Sequence, residues 1–299
     1  MSDIEGMLVT LSDAADVVNA YRADMVERRA RRTGRVTRQG SRHAFHGHAE
    51  PTWPAPVRFD GKPAEPIGGI AVTAQSIGYV EIIDFASLDR IARESGAKVS
   101  LRARTGDFVH PHRPLVEIAG ADPDEEMEAR VRSCFSLGSS RTPDQDPEFL
   151  IDELVEIGLR ALSPGINDPF TAVISIHWMG AAMAQLAERD LCHGPEQERY
   201  DPDRVQVVAD DFRHFLGRSF GAIRASAAGS PIAAKMFLDA LSGIAVGATS
   251  QKRRQMLLDE ARLLVDQAET ALKGPALDEV RERLAALRAD VGGLPAVGA

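Results

Sequence analysis

Residues 161–172 read ALSPGINDPFTA, and the parsing of this stretch decides the architecture on both sides of it. Pro164 cannot continue a helix and Gly165 accepts a positive φ, so a helix arriving from the N-terminal side stops here. Asp168-Pro169 has the form of a helix start. The Asp side chain accepts from an orphan amide, and Pro at the first position lacks only an N–H that would be unpaired anyway. The preceding run, PEFLIDELVEIGLRAL (147–162), keeps Asp152, Glu153, Glu156 and Arg160 on one stripe and is apolar elsewhere. The following run, Pro169 to Ala187, carries no charged residue. Two helices joined by so short a turn are close neighbours in a helical hairpin. Punctuation explains Pro164, Gly165, Asp168 and Pro169. It explains Asn167 poorly and does not require Ile166.

The same device recurs at Asp122-Pro123, Asp146-Pro147, Asp201-Pro202 and Ser230-Pro231. Together these steps predict helices near 123–137, 147–162, 169–188, 202–224 and 231–247, with two more near 250–272 and 275–290. A helical domain over 121–299 follows. The segment 70–120 has another character: GYVEIID reads as a strand, FASLDRIARES as a short helix, KVSLRAR as a strand, and TGDFVHPHRPLVEIAG as a turn with one or two strands. Residues 1–69 read as an amphipathic basic helix (3–32) and a linker rich in Gly, Pro and His. The expected fold is α+β: a small strand–helix–strand, barrel-like domain followed by a mainly helical bundle.

A net charge of -9 argues against general nucleic-acid binding. Cys134 and Cys192 form no CxxC pair, so a disulfide framework or cysteine-rich zinc site is not expected. The N-terminus lacks a basic region followed by a long apolar core, the form of a secretory signal. The uncharged run from Pro169 approaches the length of a membrane span. It contains Thr171, Ser175, His177, Gly180 and Gln185, however, which reads as a buried central helix, and the chain by itself is expected to be soluble. No GxSxG, P-loop, HExxH or GxGxxG motif occurs, and no cofactor is expected.

The candidate ligand-binding residues are Arg160, Ser163, Asn167 and Asp168, because the uncharged helix points its positive end at this polar loop. Arg141 and Gln145, crowded at the start of the 147–162 helix, form a second cluster. An acid–base reading would draw on Asp146, Asp168 and His177, although a lone histidine in an uncharged helix is ordinarily a hydrogen-bonded core residue. His43, His46, His48 and Glu50 fall within eight residues, but in a Gly-rich stretch with no second shell, so no metal site is assigned.

RALSPGINDPFTA resembles the signature of a bacterial family of predicted membrane proteins, domain of unknown function 2254. GYVEIIDFASLDRIA (78–92), TGDFVHPHRPLVEI (105–118) and RTPDQDPEFLIDELVEIGLRAL (141–162) resemble the same family, while Ile77 and Glu81 depart from its strand pattern. The resemblance implies a module of a bacterial inner-membrane protein and adds no activity. It gives meaning to the basic run Arg28, Arg29, Arg31, Arg32, Arg35, Arg38 and Arg42, which beside a bilayer would attract anionic lipid at ~1 kcal/mol per residue. The expected partners are therefore a membrane or membrane-anchored protein through that segment, and a small polar or anionic ligand at the 163–168 loop. The function expected is ligand sensing or assembly; an acid–base enzyme and a homo-oligomeric scaffold are the alternatives.

Overall fold

The computed structural model describes residues 68–143, 145–188, 200–207 and 211–295. The readings made for the basic N-terminal segment, the linker, the histidine cluster and Cys192 lie outside the described residues.

The first part is built on strands. β1 (Ile70–Thr73) and β2 (Gly78–Ile83) precede a helix, α1 (Phe85–Ser95), and then come β3 (Lys98–Leu101), β4 (Phe108–Val109) and β5 (Pro114–Ala119). α1 is bounded as its ends dictate: the Asp84 carboxylate accepts from the Ser87 amide at 3.0 Å, and Gly96 closes the helix at φ 68°. α2 (Glu125–Ser133) leads into β6 (Phe135–Gly138). With β7 (Val205–Gln206) from later in the chain, the strands form two sheets, of order β1-β5-β3-β7 and β4-β2-β6, and not a closed barrel.

The helical part follows as α3 (Pro147–Ala161), α4 (Pro169–Glu188), α5 (Phe212–Leu216), a π-helical turn (Gly217–Gly221), α6 (Ala222–Ala228), α7 (Pro231–Gly247), α8 (Gln251–Ala271) and α9 (Pro275–Gly293). At three of the Pro steps the expected start coincides with the observed one: Pro147, Pro169 and Pro231 each open a helix.

Two of the expected helices are corrected. The stretch 123–137 contains α2 only from Glu125, capped by Asp124, and its end is not helical: Phe135–Gly138 pairs antiparallel with β2. Asp201-Pro202 starts no helix. Asp201 makes a turn, its carboxylate accepting from the Asp203 amide at 2.9 Å and its carbonyl from Arg204 at 2.9 Å. The chain then enters β7 (Val205–Gln206), which pairs parallel with β3. An Asp carboxylate serves a turn amide as readily as a helical one, so the dipeptide alone does not distinguish them. The helix that follows begins at Phe212, with Asp211 as its cap.

Two hydrophobic cores result. One gathers Val80, Leu88, Val99, Val116 and Phe135 between sheets and helices, and it includes Tyr200 and Val205 from the strand that returns late in the sequence. The other lies among α3–α9 around Ile176, Met179, Phe215, Phe220, Phe237 and Leu257. α4 packs one face into this second core and leaves the other exposed. Among the described residues it is the one helix long and apolar enough to cross a bilayer by length and composition, and 44% of its apolar window is buried by neighbouring helices. Ser175 in α4 donates to the Leu154 carbonyl of α3 at 2.5 Å, and Gly180 lets Ala240 of α7 approach closely.

Candidate functional site: a groove and a charged junction

The loop that opened the sequence reading is closed by its own hydrogen bonds. The Ser163 hydroxyl donates to the Arg160 carbonyl at 2.7 Å, the Ile166 and Asn167 amides donate to the Ser163 carbonyl, and the Asp168 amide donates to Ala161. Asn167 has φ 49° and is the one non-glycine residue with positive φ among the described residues. Asn tolerates this left-handed region better than most side chains, which accounts for the one polar residue that helix punctuation left over. Asp168 caps α4: one carboxylate oxygen accepts from the Thr171 amide at 3.2 Å, the other from its hydroxyl at 2.6 Å. Arg160 pairs with Glu156 on the exposed face of α3, a contact worth about 0.3–0.5 kcal/mol.

Arg160 and Ser163 have a second neighbourhood. With Val155, Leu159 and Ala222 they line an open groove of about 650 Å³ between α3 and the start of α6, and Asp152 and Arg218 form its other charged edge. The floor is apolar. Asn167 and Asp168 are not part of the lining.

Arg218 is placed by the π-helical turn. The wider turn at Gly217–Gly221 redirects the helix locally, and such turns recur at functional positions. The Arg218 guanidinium grips Asp152 through Nε at 2.7 Å and a terminal nitrogen at 2.5 Å, while its other nitrogen lies 2.9 Å from Glu148. Glu148 is 8% exposed. It also meets His214 Nε2 at 2.8 Å and Arg104, from the strand-built part, at 3.6 Å. Burial raises the Glu148 pKa, but the His214 hydrogen bond and the charges of Arg104 and Arg218 outweigh it and hold the carboxyl down at about 2.

The second sequence cluster lies on the far side of this junction. Arg141 pairs with Asp146, the buried cap of α3, and with the half-buried Asp152, which Arg218 also holds. Burial pushes the Asp146 carboxyl up, against the pull of Arg141. Gln145 is buried and clamps the last residue of β2: its Oε1 accepts from the Ile83 amide at 2.8 Å and its Nε2 donates to the Ile83 carbonyl at 3.4 Å. Thr105 donates to the Gln145 carbonyl at 2.6 Å. Gly106, at φ 84°, is needed beside it, since a Cβ there would lie 2.1 Å from an Asp146 carboxylate oxygen. Arg141 and Gln145 thus fasten the helical part to the sheets.

The acid–base pair is not assembled. His177 lies nine residues beyond Asp168, ~13.5 Å along the helix at 1.5 Å per residue. Its side chain is exposed, with Nε2 2.9 Å from Met236 Sδ, which corrects the expectation of a buried core histidine. Cys134 is buried, and burial pushes its thiol up to about 11, so it is a poor nucleophile. No group of three or more metal-ligating side chains occurs among the described residues. Sequence reasoning missed Arg104, Glu148, His214 and Arg218. They are single charges on four separate elements, and the π-helical turn that aims Arg218 has no motif of its own.

The chain is an α+β molecule whose helical bundle carries a groove joined by ion pairs to its sheet-built part. The chain belongs to the family described as predicted membrane protein, domain of unknown function 2254, whose profile it matches over residues 20–242. Similar proteins include an uncharacterised protein of Mycobacterium bovis and two of Mycobacterium tuberculosis, each 26% identical over 212 residues, or 69% of this chain and 41% of the relative. The chain therefore spans about two fifths of the length of these relatives. No solved structure matches it.

Proposed function

We propose that this chain is the ligand-responsive module of a bacterial membrane protein, with its ligand held in the groove between α3 and α6. The reading rests on one observation: Arg218 is both a wall of that groove and a partner of Asp152 and Glu148, the carboxylates that join the helical part to the sheets. A ligand that competes for Arg218 loosens its hold on Glu148, and Arg104 on the sheet side feels the change through the same carboxylate. The apolar floor of Val155, Leu159 and Ala222 suits a short hydrocarbon body, and Arg160 and Ser163 suit an anionic or polar head. The family's description as predicted membrane protein supports a search among small amphipathic acids, which are plentiful beside lipid. The basic segment Arg28–Arg42 would hold the module near an anionic surface.

The test is thermal denaturation of the full chain with butyrate, hexanoate, octanoate and inorganic phosphate. At 100 times Kd a ligand adds about 2.7 kcal/mol, a rise of roughly 5–10 °C for a chain of this size. A rise with at least one acid that disappears in Arg160→Ala supports the reading. Unchanged melting with all four compounds, in wild type and variant alike, removes it.

A further inference from the structure

α4 has one face that no helix covers. Phe170 is 69% exposed and Ile174 is 48% exposed, and His177 and Ala181 continue the same stripe at helical spacing. α7 runs parallel beside it. His177 meets Met236, and Gly180 meets Ala240, so the two outer faces form one surface. On α7 that surface continues through Ile232, 41% exposed, whereas Val246 borders the groove between α7 and α9 beside Asp239, Arg283 and Asp290. Its N-terminal edge is Ile166 of the connecting loop, also exposed, the residue that helix punctuation did not require.

We infer that this surface is the contact between two copies of the chain. Its size suits that use. A 20-residue helix is about 30 Å long, and two helices ~9 Å apart give a face ~18 Å wide. Pairing the face with itself would bury ~1,000 Å² in total, the area at which a specific interface becomes stable. Its chemistry selects a protein over a bilayer. Helices that lie on lipid flank their apolar stripe with Lys and Arg; α4 has no charged residue between Pro169 and Ala187, and Lys235 of α7 is engaged with Glu279 of α9. Gly180, buried against Ala240, draws α4 and α7 together, and the small exposed Ala181 leaves room for a second pair of helices to approach. A two-fold axis across the α4 faces brings Ile174 of each copy against the other's apolar stripe, which closes the assembly at two.

Light scattering after size exclusion, on the full chain without a tag, tests this. The expected mass is twice the 32.3 kDa of one chain, falling to a single chain in Ile174→Glu. Phe170→Glu, at the solvent-facing first turn of α4, is the second variant and is expected to weaken the dimer at least tenfold while circular dichroism stays unchanged. Ile77→Glu, on an exposed residue of the strand-built part, is expected to leave the mass doubled. A wild type that is monomeric at 100 μM overturns the inference, as does a dimer that survives both α4 substitutions. A monomer that floats with uncharged phosphatidylcholine vesicles, and no longer floats as Ile174→Glu, would assign the face to lipid and also overturn it.

Discussion

Glu148 is the residue on which the junction turns. It sits in the first turn of α3, where a negative charge also suits the helix dipole, and it is reached by His214, Arg218 and Arg104 from three other elements. Replacing it with Gln keeps the shape and removes the charge, leaving the partly exposed Arg104 and His214 without this counter-ion while Arg218 keeps Asp152. Breaking a fully buried pair costs about 3–5 kcal/mol; with the cations partly in water, Glu148→Gln is expected to lower stability by roughly 2 kcal/mol in urea denaturation. The sign with pH follows from its depressed pKa. The stability Glu148 contributes is fully present above the ordinary glutamate value of 4.5 and is lost as pH falls toward about 2. Between pH 5 and pH 2 the wild type should therefore lose more stability than Glu148→Gln, and the two melting curves should converge. A gap of constant size across that range would show that the carboxylate is not held as described.

At the scale of elements, the helices from α3 onward were largely legible because their starts are chemical. Asp146, Asp168 and Ser230 cap backbone amides beside a Pro, and α3, α4 and α7 begin where those residues stand. Asp201 shows the limit: the same side chain made a turn, and the choice was settled by β7 pairing with β3 a hundred residues earlier in the chain. β6 was lost for the same reason, since only its partner β2 makes Phe135–Gly138 a strand. The candidate site was legible in part. Arg160 and Ser163 do border a groove, but Arg218 reaches it only through the π-helical turn, and contact between α3 and α6 is invisible to local pattern. That contact depends on Gly158, where a Cβ would lie 2.3 Å from Ile223 of α6 and 3.1 Å from the Ser175 hydroxyl of α4. Gly158→Val is expected to overpack the three-helix contact and cost about 1–3 kcal/mol, a fall in Tm of about 2–4 °C for each kcal/mol. An unchanged or higher Tm would mean the helices can part there without loss.

The whole molecule is two cores held together by polar contacts rather than by a shared apolar interior. Gln145 on Ile83, Thr105 on the Gln145 carbonyl and Arg104 on Glu148 all cross from sheets to helices. Such a seam is suited to shifting between arrangements, because its contacts can be exchanged for a ligand's without opening either core. The groove and the seam meet at Asp152, held by Arg218 and Arg141, and at Glu148, which Arg218 shares with Arg104. The claim that one communicates with the other is most directly tested by a double-mutant cycle with Arg218→Ala and Arg104→Ala, read by urea denaturation of the full chain. Residues that share a partner couple by about 0.5–3 kcal/mol, whereas independent sites add to within about 0.3–0.5 kcal/mol. The account predicts a coupling energy of about 1 kcal/mol or more between these two arginines. Strict additivity would contradict it, since the groove wall and the sheet side would then act on Glu148 without sensing each other.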